Sequence, residues 1–115
     1  MSKYQEHQPA KFEILIVDDT LDNLRLLVNI LTGHGYEVRT AKNGQMALRS
    51  VQSHSPDLIL LDINMPDLNG YEVCQHLKQS EKTCDIPILF LSVSDEVIDK
   101  VKAFEVGGVD YMTKP

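Results

Sequence analysis

Four short hydrophobic runs in this chain each end at a polar functional group. They cover residues 12–17, 58–61, 88–91 and 109–113, and are followed in turn by Asp18-Asp19, Asp62, Ser92 and Lys114. Continuous runs rich in Val, Ile and Leu are typical of strands that a parallel sheet buries on both faces. Because ligands of open α/β sheets bind at the carboxyl ends of the strands, the three acids, the hydroxyl and the ammonium should share one pocket.

The segments between these runs carry apolar residues at helical spacing, which predicts a regular alternation of strands and helices. One more short strand is expected at residues 37–41, which brings the predicted number of strands to five. Helices are predicted at residues 22–32, 43–51 and 71–77, with a fourth that presents Val97, Val101 and Phe104 on one face. Five strands separated by helices indicate an α/β fold, a three-layer sandwich around a mostly parallel sheet.

Composition and charge narrow the class of protein further. With 115 residues and 43% hydrophobic content, the chain is predicted to form one domain over residues 12–115, preceded by a disordered leader, 1–11. No apolar run approaches the roughly 20 residues of a membrane-spanning helix. A net charge of −6 without a basic cluster argues against nucleic-acid binding. The absence of a signal-peptide core, and of metal or redox spacing at Cys74 and Cys84, indicates a reducing cytoplasm.

The acidic residues at the predicted sheet edge are expected to bind a cation. Carboxylates that converge to about 4 Å repel one another by about 4 kcal/mol a pair at an effective dielectric constant near 20. Carboxylate oxygens with no His or Cys ligand favour Mg²⁺, which binds through one or two carboxylates, several waters and a phosphate oxygen. Together with Lys114, the metal could neutralise a phosphoryl group in transfer while Asp62 supplies the nucleophile.

These residues resemble the receiver domain, the phosphoacceptor module of two-component response regulators and hybrid sensor kinases. The resemblance covers about residues 12–115 and is carried by ILIVDD, LILLDINMPDLNG, ILFLS and YMTKP, in family order and spacing. Each motif alone is weak, whereas the four together are highly specific. The resemblance implies the flavodoxin-like strand order 2-1-3-4-5 and phosphoryl transfer from a histidine kinase or phosphotransfer protein.

The resemblance also implies a role for each site residue. Asp62 would be phosphorylated and would also be a metal ligand. Asp19 would bind Mg²⁺ directly, Asp18 would hold metal-bound water, and the backbone carbonyl of Asn64 would complete the metal ligands. The remaining roles concern the phosphoryl group. Ser92 would donate a hydrogen bond to it, Lys114 would pair with Asp62 or its phosphate, and Tyr111 would be the aromatic switch that turns inward. Phosphorylation would then control an output domain or partner protein, and a homodimer is left open.

Three features depart from the family pattern or lie at its limit. Ser92 stands where Thr is commoner and Val93 where a smaller Ala is frequent, so access to the phosphate is expected to be tighter. The chain stops at Pro115, where the family's fifth helix should begin. That helix is expected to be absent, which predicts a fragment of a longer protein or a sheet face that another chain covers.

Each motif residue also has a structural interpretation. Asp18 and Asp19 could cap the first helix, Asp62 could begin a turn, and Ser92 could cap the fourth helix. At the level of function, a pseudo-receiver would be an unphosphorylated interaction module, but such modules usually lack part of the acidic set. A stand-alone phosphatase is disfavoured because no DxD nucleophile motif surrounds Asp62. We expect a phosphoacceptor that catalyses only its own phosphorylation and dephosphorylation.

Overall fold

The protein is a parallel sheet with helices on both faces. The computed structural model describes residues 11–92 and 110–113, and at 92 and 110–113 the backbone alone. Its strands are β1 (Glu13–Val17), β2 (Glu37–Ala41), β3 (Leu58–Asp62), β4 (Ile88–Ser92) and β5 (Asp110–Thr113). The first four lie in the order β2-β1-β3-β4, and the backbone of β5 pairs with the outer side of β4. All pairs are parallel.

Three helices connect the strands in the described part of the chain. They are α1 (Leu21–Gly33), α2 (Gly44–Ser53) and α3 (Gly70–Lys78). The helices predicted at residues 22–32, 43–51 and 71–77 are all present. Their observed limits differ from the predicted ones by one or two residues, because capping groups outside the apolar repeat decide where a helix begins and ends. No helix among the described residues has the length and apolar character to cross a bilayer.

Side-chain alternation along the strands divides the core into two clusters. Ile14 and Ile16 of β1 point to the face that α1 covers, where they pack with Leu24 and Leu27. The alternate β1 residues point to the opposite face, which α2 and α3 cover. Successive residues of a strand face opposite sides of a sheet, so a wholly apolar β1 needs helices on both sides. This confirms the predicted layered α/β arrangement for the described elements.

Two local features hold in place the turn after α1 and the strand β2 that follows it. Gly35 has a φ of 91°, and the amide of Tyr36 donates to the carbonyl of Leu31. Together with the bond from the Gly35 amide to Thr32, this is a Schellman ending, in which glycine takes the left-handed position. Arg39 of β2 then contacts Glu13 at 3.4 Å and donates to backbone carbonyls near the end of α2.

Several predicted elements lie outside the described residues. They are the leader up to residue 10, the fourth helix with Val97, Val101 and Phe104, and the site residue Lys114. The strand predicted at 109–113 is described from Asp110 onward.

Cys74 of α3 is fully buried, and burial raises the pKa of its thiol from 9.0 to about 11, with Lys78 acting in the opposite direction. Because burial favours the neutral thiol, its contribution to stability is complete below pH 9.0 and is lost as the pH rises toward about 11. We expect about 1 kcal/mol of this contribution to disappear between pH 8 and pH 10. Urea unfolding of the reduced protein at both pH values measures it.

Cys84 provides the matched control for this prediction. It is only half-buried, and Cys84→Ala should keep the full loss of stability between the two pH values. Cys74→Ala should show a loss smaller by about 1 kcal/mol, since no thiol remains in the core to ionise. An equal loss in both variants would show that ionisation of Cys74 is not responsible.

Candidate functional site

The three acidic residues identified in the sequence converge at the carboxyl edge of the sheet. Val17 of β1 pairs with Leu61 of β3. Asp18 and Asp62, which follow these two residues, therefore lie side by side. One carboxylate oxygen from each of Asp18, Asp19 and Asp62 lies within 4.8 Å of the other two. Asp18 and Asp62 are buried and Asp19 is exposed, so the cluster opens to solvent on the Asp19 side.

Asp18 is held by both its backbone and its side chain. Its amide donates to the carbonyl of Ala41 at 3.1 Å, which anchors it to the end of β2. Its Oδ1 accepts a hydrogen bond of 2.9 Å from the amide of Thr20, and the Nδ2 of Asn23 lies 3.4 Å from its Oδ2. A buried carboxylate needs such donors because it has lost its hydration. These hydrogen bonds therefore hold the Asp18 carboxylate in position within the site.

Asp62 occupies the last position of β3 and is 1% exposed. Its Oδ1 accepts a hydrogen bond of 3.2 Å from the amide of Asn64, two residues later. This contact ties the beginning of the loop that follows β3 to the carboxylate. An Asp at a strand end that bonds the amide two residues on is a common turn motif, so the turn predicted as a structural alternative for Asp62 coexists with its position in the cluster.

Gly70, the first residue of α3, packs directly on the backbone of Asp62. A Cβ atom at Gly70 would lie 2.3 Å from the Asp62 carbonyl oxygen and 2.9 Å from the Cα of Ile63. The Gly70 amide also donates to the carbonyl of Ile63 at 2.9 Å. Glycine is required here because the two backbone segments approach too closely for any side chain. The start of α3 therefore packs directly on the backbone that carries the Asp62 side chain.

The loop between Asp62 and Gly70 contains a tight turn and a helix cap. Asp67 has a φ of 68°, and the amide of Leu68 donates to the carbonyl of Pro66 at 2.8 Å, which closes a three-residue turn. Asn69 and Glu72 then exchange hydrogen bonds of 2.9 Å between side chain and amide, forming a capping box at the start of α3.

The donor set and the spacing of the cluster fit a small hard cation. Two oxygens that both bind Mg²⁺ directly lie at most about 4.2 Å apart, since each metal–oxygen bond is about 2.1 Å. The 4.8 Å limit of the cluster is slightly wider, which suits a site where one carboxylate binds through water. The residues present therefore fit a metal of this class.

The remaining predicted site residues lie at the same edge or outside the described part. Asp62 pairs with Leu91, so Ser92 follows one position later at the end of β4. Ser92 in turn pairs with Thr113, and Tyr111 pairs with Phe90. The described part of the structure includes neither the side chains of Ser92 and Tyr111 nor any part of Lys114.

Two residues that contribute to the site were not identified from the sequence. Asn69 carries a recognisable signal, since Glu72 follows three residues later and this spacing is typical of a capping box. Asn23 carries none, because its contact with Asp18 depends on where α1 begins relative to β1.

The comparisons with known proteins agree on one family. The sequence model of the response regulator receiver domain matches residues 14–115. The chain is 46% identical over 103 residues to the alkaline phosphatase synthesis transcriptional regulatory protein PhoP of Bacillus subtilis, covering 90% of this chain and 42% of that protein. It is 42% identical over 102 residues to the response regulator PleD of Caulobacter vibrioides, covering 89% of this chain and 22% of that protein.

Solved structures give the same result. The chemotaxis protein CheY4 of Vibrio cholerae superimposes with a TM-score of 0.87 at 31% sequence identity, over 92% of this chain and 88% of that one. The chain spans less than half the length of the two curated relatives, PhoP and PleD.

Proposed function

Because the chain belongs to the family of response regulator receiver domains, we propose that Asp62 accepts a phosphoryl group from a phosphohistidine donor and that this modification switches the conformation of the domain. The observation that carries the proposal is the convergence of three carboxylates around Asp62, within 4.8 Å of one another. Mutual repulsion makes this arrangement unfavourable unless a cation offsets it, so a purely structural role would not explain it.

In the proposed reaction an oxygen of the Asp62 carboxylate attacks the phosphorus atom of the phosphohistidine. The new phosphorus–oxygen bond forms as the phosphorus–nitrogen bond breaks, and the imidazole leaves with its electron pair. A bound Mg²⁺ would supply charge neutralisation for the phosphoryl oxygens. Asp19, Asp62 and the backbone carbonyl of Asn64 would hold the metal, and Asp18 would hold metal-bound water.

The burial of Asp62 supports its role as nucleophile. Its carboxylate is shielded from bulk solvent, and its position is set by the Asn64 amide and by the packing of Gly70. A carboxylate fixed in this way needs little reorganisation to reach an incoming phosphorus atom. The exposed side of the cluster, at Asp19, is where a donor would approach.

The response to phosphorylation is assigned to residues from β4 onward. In this proposal the hydroxyl of Ser92 donates to a phosphoryl oxygen, Lys114 pairs with the phosphate, and Tyr111 turns inward as the switch. The position of Ser92 at the end of the strand beside β3 supports this assignment. The domain would act in the cytoplasm on an attached output domain or a partner protein, with a histidine kinase or phosphotransfer protein as donor.

The proposal is tested by incubating the protein with acetyl phosphate and Mg²⁺ and following its mass. We expect the gain of one phosphoryl group, stable in acid and lost in base or hydroxylamine, as for an acyl phosphate. Chelation of Mg²⁺ should prevent the gain. A folded protein that gains no phosphate from acetyl phosphate or from phosphorylated histidine kinases would instead indicate a pseudo-receiver.

Metal binding should also be visible in stability. We expect Mg²⁺ at 100 times its dissociation constant to stabilise the folded state by about 2.7 kcal/mol, a rise in the unfolding midpoint of roughly 10 °C. Asp19→Asn should remove most of this rise, because it replaces a direct ligand. Thermal unfolding followed by circular dichroism, with and without Mg²⁺, measures the effect.

Asp22→Asn is the matched control for the metal experiment. Asp22 lies in the first turn of α1, close to the cluster in sequence but not part of it. This variant should keep the full Mg²⁺ response. A wild-type midpoint that does not change in millimolar Mg²⁺ would contradict the proposed metal site.

A further inference from the structure

Asn23 lies beside the acidic cluster and has no part in the proposed chemistry. It is the third residue of α1, and its side-chain amide nitrogen lies 3.4 Å from Oδ2 of Asp18. Side chains in the first turn of a helix point back toward its start, which brings this amide over the carboxylate. Asn23 is half-buried, so the contact is partly shielded from water.

The start of α1 is organised around Asp18 rather than around its own capping residue. Thr20 occupies the N-cap position, but its side chain makes no capping hydrogen bond. Instead, the Thr20 amide donates to Oδ1 of Asp18 at 2.9 Å. The two oxygens of Asp18 thus each face a donor from the beginning of α1, one from the backbone and one from Asn23.

We propose that Asn23 is a positioning residue for the metal site, whose amide holds the buried Asp18 carboxylate in the orientation that receives metal-bound water. The inference rests on the proposed metal binding at the acidic cluster. Donors on both oxygens hold the plane of a carboxylate more firmly than a donor on one oxygen alone, and Asn23 supplies a donor at Oδ2 of Asp18.

The chemistry of the amide suits this position. Asn23 donates a hydrogen bond without adding charge, so the cluster keeps the negative charge that attracts a cation. A Lys or Arg at residue 23 would also donate, but its positive charge would oppose metal binding. An Asp there would repel Asp18 and, when ionised, would have no proton to donate. Partners that orient metal ligands in this way typically change metal affinity by roughly 10- to 100-fold when they are removed.

The test compares Mg²⁺ titrations of the wild type with those of Asn23→Ala, Asn23→Gln and Asn29→Ala, followed by calorimetry and by backbone amide chemical shifts. Asn23→Ala should raise the dissociation constant for Mg²⁺ by roughly 10-fold. This is the lower end of the range for partners that orient metal ligands, and we expect it because the contact is long. Asn23→Gln keeps the amide on a longer side chain and should recover part of the affinity. Asn29 is exposed on the same helix, so Asn29→Ala should bind as the wild type does.

The unfolding midpoints without metal separate positioning from a merely structural role. We expect Asn23→Ala and Asn29→Ala to unfold at similar temperatures without Mg²⁺ and to differ in its presence. An unchanged dissociation constant in Asn23→Ala would overturn the inference, and so would a Gln variant as weak as the Ala variant. A wild type that does not bind Mg²⁺ would overturn the proposed function and this inference with it.

Discussion

Asp62→Asn is expected to abolish phosphorylation while leaving the fold intact. The amide has nearly the shape of the carboxylate, but its oxygen is a poor nucleophile and cannot form the acyl phosphate. The substitution also removes one buried negative charge from a cluster of three. Without metal the variant should therefore be at least as stable as the wild type, because repulsion within the cluster decreases.

Asp67→Asn is the matched control for this experiment. Asp67 is exposed and lies five residues further along the same loop, and Asn tolerates its positive φ of 68°. This variant should gain one phosphoryl group from acetyl phosphate at the wild-type rate. The measurement is intact mass before and after treatment with hydroxylamine. Undiminished phosphorylation of the Asp62→Asn protein would show that another residue is the acceptor.

Gly70→Ala is expected to destabilise the protein strongly, by about 3 kcal/mol, the upper end of the usual range for overpacking a core. The added methyl group would lie 2.3 Å from the carbonyl oxygen of Asp62. Its neighbours there are backbone atoms, which cannot rotate away as a side chain would. Either α3 moves outward or the end of β3 shifts, so the variant should also accept phosphate more slowly. Urea denaturation measures the loss of stability.

Gly33→Ala is the matched control, because it makes the same substitution where the added methyl group has space. A Cβ atom there would meet nothing within 4 Å, and Gly33 is the last residue of α1. Gly33→Ala should therefore be neutral or stabilise the protein by up to about 1 kcal/mol, because Ala favours the helix. If Gly70→Ala proved as stable as Gly33→Ala, the close contact between α3 and Asp62 would not exist in solution.

Much of the fold and of the acidic cluster could be predicted from the sequence because both depend on local patterns. The apolar run before Asp18 requires burial on two faces, and the run before Asp62 requires the same, which predicts that both are central strands. The parallel register of β1 and β3 then brings the two acids together. The family resemblance supplied the strand order, which periodicity alone does not determine.

The details that the sequence did not reveal depend on distances between elements. The contact of Asn23 with Asp18 requires a knowledge of where α1 begins and how it leans on the sheet. The positive φ of Asp67 is equally hidden, since only a small fraction of non-glycine residues adopt that conformation. The close approach of Gly70 to Asp62 joins residues eight positions apart through a turn whose shape no local pattern fixes.

The arrangement of the central strands has a consequence for how the protein folds. β1 pairs with β2, the next strand in sequence, but also with β3, so that Ile14 must find Leu58 across three intervening elements, α1, β2 and α2. Pairings between distant segments form slowly, because the chain loses loop entropy before the contact compensates for it. Asp18 and Asp19 meet Asp62 only when this pairing is complete. Metal should therefore have no assembled site during most of the folding reaction and act mainly by slowing unfolding.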